Sequence, residues 1–140
     1  LTNVTLGDDS NDRIGRKIKV VGYEVHVYMG TTGQAVGPSD VHVLSTYDAS
    51  TPLFSDFNNG VGGKMQNSMC YYLNHAVCGN LGYTGYIRFK KYFKKPINVW
   101  YATSAANSAH KNKIFIVIKN NSDVAMTTVK LSATLYYKDL

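Results

Sequence analysis

The chain has 140 residues and a net charge of +6 at pH 7, with 15 lysines and arginines against nine acids. That length suits one domain over residues 1–140 with a core of its own, and no apolar run approaches the ~18 residues of a membrane-crossing helix, so no membrane partner is assigned. The basic balance favours a polyanionic partner and bears on association, not on fold.

Eleven tyrosines, a single glutamate (Glu24) and recurrent Val, Ile and Thr favour strands over helices, so the composition reads as all-β. Residues 1–12 are polar and turn-prone. The stretch 12–29, DRIGRKIKVVGYEVHVYM, opens with the cations Arg13, Arg16, Lys17 and Lys19 and then becomes a long apolar strand. Its alternation slips once: Ile14, Ile18 and Val20 fall on even positions, Val21, Tyr23, Val25, Val27 and Met29 on odd ones. A one-residue slip swaps strand faces unless a bulge absorbs it, and Gly22 stands just past the slip. His26 alternates with the apolar residues and is placed on the opposite face.

A glycine-rich loop with Pro38 leads to a second strand over 40–47. Residues 58–63 form a glycine-rich turn without the pattern of a phosphate loop. Residues 64–78 are helix-compatible, since Met65, Met69, Leu73, Ala76 and Val77 recur at helical spacing; a strand at 69–73 is the competing reading. Residues 84–93 alternate Tyr86, Arg88, Lys90 and Tyr92 against Ile87, Phe89, Lys91 and Phe93. Lys95-Pro96 is read as a break before another strand at 97–102. Residues 103–112 read as a loop. Residues 113–119 are a continuous apolar strand, which implies cover on both faces. The last strand sets Val129, Leu131, Ala133, Leu135 and Tyr137 against Thr128, Lys130, Ser132, Thr134 and Tyr136.

Catalytic chemistry has no constellation here. His26, His42, His75 and His110 are scattered without metal-ligand spacing, and no nucleophile elbow is present. Cys70 and Cys78 read as reduced thiols; with His75 they form only a nonstandard ligand spacing. The chain is therefore read as a non-enzyme, with no catalytic residue, metal or cofactor assigned. Two basic clusters remain: Arg13, Arg16, Lys17 and Lys19, and Arg88, Lys90, Lys91, Lys94 and Lys95 with Tyr92 among them. Lysines on a strand edge can serve simply to discourage edge pairing. Cations interleaved with aromatics also suit single-stranded nucleic acid, neutralising phosphates and stacking on bases.

Arg13-Ile14-Gly15-Arg16-Lys17-Ile18, followed by a long apolar strand, resembles the R-x-G-x-K-I motif that opens the first strand in capsid proteins of small circular single-stranded DNA viruses. Plant satellite virus coat proteins are a looser match. Asp48, Thr51-Pro52 and Asp56 resemble the segment after the second strand in geminivirus-like coats, with Tyr47 where an arginine usually stands. The ending LSATLYYKD is similar to the terminal strand of these capsids, so the paired motifs bracket nearly the whole chain.

The resemblance implies a single jelly roll, an eight-stranded antiparallel β-sandwich with at most one short helix in a loop. It implies a virion protein that self-assembles into an icosahedral shell, about sixty copies in the simplest case, around a single-stranded DNA genome, with RNA as the satellite-virus variant and assembly in the host nucleus. About sixty copies at +6 each would neutralise fewer phosphates than the codons for this chain alone require, so a basic, disordered arm upstream of Leu1 is expected. The reading from a different class is a lectin-like jelly-roll binding module using Asp48, Asp56, Asn58 and Asn59.

Overall fold

A computed structural model describes residues 1–3, 14–30, 39–48, 51–52, 70–78, 84–103, 106, 108–121, 125 and 128–139. These residues are all-β, with seven strands and no helix among them: β1 Lys17–Gly30, β2 Ser39–Thr46, β3 Cys70–Cys78, β4 Thr84–Tyr101, β5 Ala109–Lys111, β6 Lys113–Asn120 and β7 Thr128–Asp139. One sheet has the order β5-β4-β1-β7 and the other β3-β2-β6, and the strand pairings are antiparallel.

The slip expected in the first strand is present. Along the β7 side, Val20 pairs with Tyr137 and Gly22 with Tyr136, so Val21 is an extra residue. The bulge returns the apolar set to one face: Ile18 and Val20 before it, Tyr23, Val25, Val27 and Met29 after it, are all buried. Along the β4 side, Val20 pairs with Ile97 and Gly22 with Tyr92, so Phe93, Lys94, Lys95 and Pro96 together stand opposite Val21. The expected break at Lys95-Pro96 is thereby corrected. Pro96 does not end the strand, because it sits in a bulge where no ladder bond from its nitrogen is needed, and β4 runs unbroken through it.

Gly22 has a packing reason. A Cβ there would lie 2.6 Å from the Lys91 carbonyl oxygen and 2.7 Å from Tyr92 Cδ1. Gly22→Ala is expected to cost about 1–3 kcal/mol through overpacking against backbone that cannot yield freely. Urea denaturation checks it; an unchanged midpoint would refute the close approach.

The helix expected within 64–78 is replaced over its described part by β3, which pairs with β2 from Ser39↔Cys78 to Thr46↔Cys70. The helical spacing of Leu73, Ala76 and Val77 is outweighed by ladder pairing to a strand that is buried at every residue. Residues 64–69 of that expected helix lie outside the described residues. Cys70 and Cys78 end the same nine-residue strand, roughly 26 Å apart at strand rise, far beyond disulfide reach and beyond sharing one metal. The expected loop at 103–112 contains the short β5, paired to the end of β4 through Trp100↔Lys111 and Tyr101↔Ala109.

The core draws on both sheets: the buried residues of β1 cluster with Val99 and Tyr101 of β4, Ala109 of β5, Val41 and Val43 of β2 and Ile114 of β6. Thr2 ties the sheets together, its carbonyl accepting from the Tyr101 hydroxyl at 2.8 Å and its Oγ1 accepting from the Ile114 amide at 3.2 Å. The apolar face of β7 is covered only in its second half. Leu135 and Tyr137 pack against the core, whereas Val129 and Leu131 stay half-exposed. On β6, Ile114 is buried and Phe115, Ile116, Val117 and Ile118 are half-buried, so the two-sided cover expected there is incomplete on this edge strand.

Candidate nucleic-acid interface

The face of β4-β1-β7 turned away from the core is assembled by register, because directly opposed residues in an antiparallel pair share a face. From β1 it takes Lys17, Lys19, Glu24, His26 and Tyr28. Opposite these β4 sets Trp100, Asn98, Lys90, Arg88 and Tyr86, and opposite the last four β7 sets Lys138, Thr134, Ser132 and Lys130. Among the described residues, six cations (Lys17, Lys19, Arg88, Lys90, Lys130 and Lys138) therefore share one face with a single carboxylate, Glu24.

At one end the Lys17 ammonium lies 4.6 Å from the centre of the Trp100 ring, and Lys19 stands directly opposite Lys138. Like charges so placed are locally destabilising and favour an anion laid across them. In the middle, the space over Gly22 is filled by Tyr92 and Tyr136, whose rings stack at 5.4 Å and 29°. The Lys90 ammonium sits 5.2 Å from one ring centre and 5.1 Å from the other. Hydrogen bonds to Tyr92 and Tyr136 hold this lysine above its ordinary pKa.

Glu24 is the hub. Its Oε1 accepts from Arg88 Nε and a terminal guanidinium nitrogen at 3.0 and 2.8 Å and lies 2.9 Å from His26 Nε2. Its Oε2 accepts from the Tyr136 hydroxyl at 3.2 Å and lies 3.5 Å from Lys90 Nζ. Hydrogen bonds from Arg88 first, and then from His26, lower its pKa from 4.5 to about 2. A carboxyl depressed by folding stabilises the folded state above its unfolded pKa and loses that contribution as pH falls through the folded one. Wild-type stability should therefore decline between about pH 4.5 and pH 2, and Glu24→Gln should flatten the decline. Denaturation midpoints across that range check it; parallel curves for the two proteins would refute it.

Of the residues expected from the sequence, Lys17, Lys19, Arg88, Lys90 and Tyr92 meet on this face. Lys91 does not: it pairs with core-facing Tyr23, so the strand period of two sends it to the other side. Lys94 and Lys95 are exposed in the β4 bulge. Arg16 precedes β1 and its guanidinium donates to the Ala102 carbonyl. Arg13 lies outside the described residues, as do Asp56, Asn58 and Asn59; Asp48 is exposed in the turn after β2. The cluster 88–95 is thus not one patch. Sequence reasoning missed Tyr86, Trp100, Lys130, Tyr136 and Lys138 as site residues. The even-numbered polar side of the last strand carried the signal for three of them, but only its pairing with β1 shows which sheet face it joins.

No family model matches this chain, and no curated protein is significantly similar to it.

Proposed function

We propose that this chain is the capsid subunit of a small single-stranded DNA virus, a jelly roll whose copies form an icosahedral shell, with the outward face of β4-β1-β7 holding the packaged strand. The observation that carries the reading is that face: cations interleaved with exposed tyrosines and a tryptophan, around one carboxylate already engaged by its neighbours. Phosphates are neutralised there without reading sequence, and aromatic rings accept bases of any identity. The nested pairing of first with last strand and second with sixth supports a jelly roll, since winding a long hairpin into two sheets produces that order. The motifs at 13–18 and 131–139 support the viral assignment; the first runs into β1 at Lys17 and Ile18, and the second lies in β7, the strand beside it. The chain acts as a homo-oligomer in the virion, assembled in the host nucleus.

Sedimentation velocity over a wide concentration range, with single-stranded DNA present and absent, tests this. A megadalton particle that retains DNA is expected. A monomer or small oligomer at high concentration and moderate salt would overturn the capsid reading in favour of a binding module.

A further inference from the structure

A shallow cavity of about 180 Å³ opens on the same face, lined by His26, Tyr28, Tyr86, Lys130, Leu131 and Ser132. We infer that it receives one nucleobase of a bound single strand; the inference rests on the nucleic-acid reading of this face and gives it a defined base subsite. The other aromatics of the face already have a partner on their rings. Lys17 lies over Trp100, and Tyr92 and Tyr136 stack on each other beneath Lys90. At the cavity the rings border open space instead. Tyr86 and Tyr28 are 56% and 38% exposed, and the His26 and Tyr86 rings stand 6.1 Å apart and tilted by 49°, which forms a cleft and not a closed stack.

The cleft is held in shape. The Tyr86 hydroxyl lies 2.6 Å from His26 Nδ1, and His26 Nε2 is fixed in turn by Glu24. Its size is well under the ~300–1,000 Å³ of sites for drug-sized molecules, so it suits one planar ring system. Charge selects the rest of the ligand: Lys130 is at the rim, and Arg88, paired in register with His26, is 61% exposed. Glu24, the nearby acid, is occupied by Arg88, Lys90, His26 and Tyr136. An aromatic cleft flanked by cations fits a base with its phosphates outside, held on the two basic side chains.

The test compares two short DNA strands of equal length by fluorescence anisotropy at one salt concentration: a wholly abasic strand, and the same strand carrying a single central thymine. The wild-type chain should bind the base-bearing strand between about fivefold and about 150-fold more tightly, the range of one base–aromatic stack. Tyr86→Ala should abolish that difference, and Tyr86→Phe should retain most of it. Equal wild-type binding of both strands would overturn the subsite and leave the phosphate-binding reading standing. Binding of neither strand would take down both. A base preference that survives Tyr86→Ala would also overturn it. Photocrosslinking of wild-type protein to a strand with one 5-iodouracil, mapped by mass spectrometry, needs no variant to fold: an adduct on Tyr28, His26 or Tyr86 supports the subsite, and one confined to Tyr92, Tyr136 or Trp100 refutes it.

Discussion

Replacing Lys17, Lys19 and Lys138 together by glutamine is expected to weaken binding of any single-stranded DNA about fiftyfold at about 0.15 M salt. Single strands lose roughly 0.7 of a decade of affinity per decade of salt for each phosphate contacted, so three contacts are worth about 1.7 decades at that salt, and the salt slope should flatten by about two. The loss should be the same for all sequences, because phosphate contacts carry no base information. Two features separate this outcome from simple unfolding. Lys19 and Lys138 are directly opposed like charges, so their removal should leave the fold no less stable and slightly more so. Lys91→Gln, between Lys90 and Tyr92 in sequence but paired with core-facing Tyr23, should change binding less than about twofold despite removing a like charge. Anisotropy titrations at several salt concentrations measure all of this. An unchanged slope in the triple variant would return these lysines to an ordinary solvated sheet face.

Much of the first strand was legible in the sequence because one physical constraint governs it. A run with Ile18 and Val20 on one parity and Tyr23, Val25 and Val27 on the other can bury both sets only through a bulge, and the bulge lies between Val20 and Gly22. The faces of residues 86–93 were legible for the same reason. Composition and local spacing failed where pairing decides. Residues 73–77 satisfy a helical spacing and still form a strand, because β2 supplies a ladder partner along the whole segment. Pro96 read as a terminator because the three-residue excess of β4 over β1 at the bulge, which lifts it out of the ladder, is a property of two strands together. The site divided in the same way. Cations on one strand could be recognised as basic; which of them share a face depends on register, and so Lys138 and Tyr136, more than a hundred residues from Lys19 and Glu24, were not grouped with them, while Lys91 falls on the other face.

Tyr23→Ala is expected to be the most destabilising single truncation considered, at about 3–5 kcal/mol, the range for removing a buried aromatic ring. Tyr23 is fully buried and is the first core-facing residue after the β1 bulge. Its ring lies 5.7 Å from that of Phe93 at 53°, and Phe93 is the first of the four residues that bulge out of β4. One side chain thus joins the core to the segment carrying Lys94, Lys95 and Pro96, and its loss leaves a cavity bounded by two strands whose register depends on that junction. Against a total stability of about 5–15 kcal/mol for a domain, such a loss removes a large share. Tyr23→Phe keeps the ring and its packing and should cost only a small fraction of that loss. The only tryptophan, Trp100, is 39% exposed on the same sheet, so its fluorescence follows unfolding in urea. The Tyr23→Phe midpoint is expected near that of the wild type and the Tyr23→Ala midpoint well below both. A Tyr23→Ala midpoint close to that of the phenylalanine variant would mean that the ring does not bridge core and bulge, and the β1–β4 register would then have to be held by backbone pairing alone.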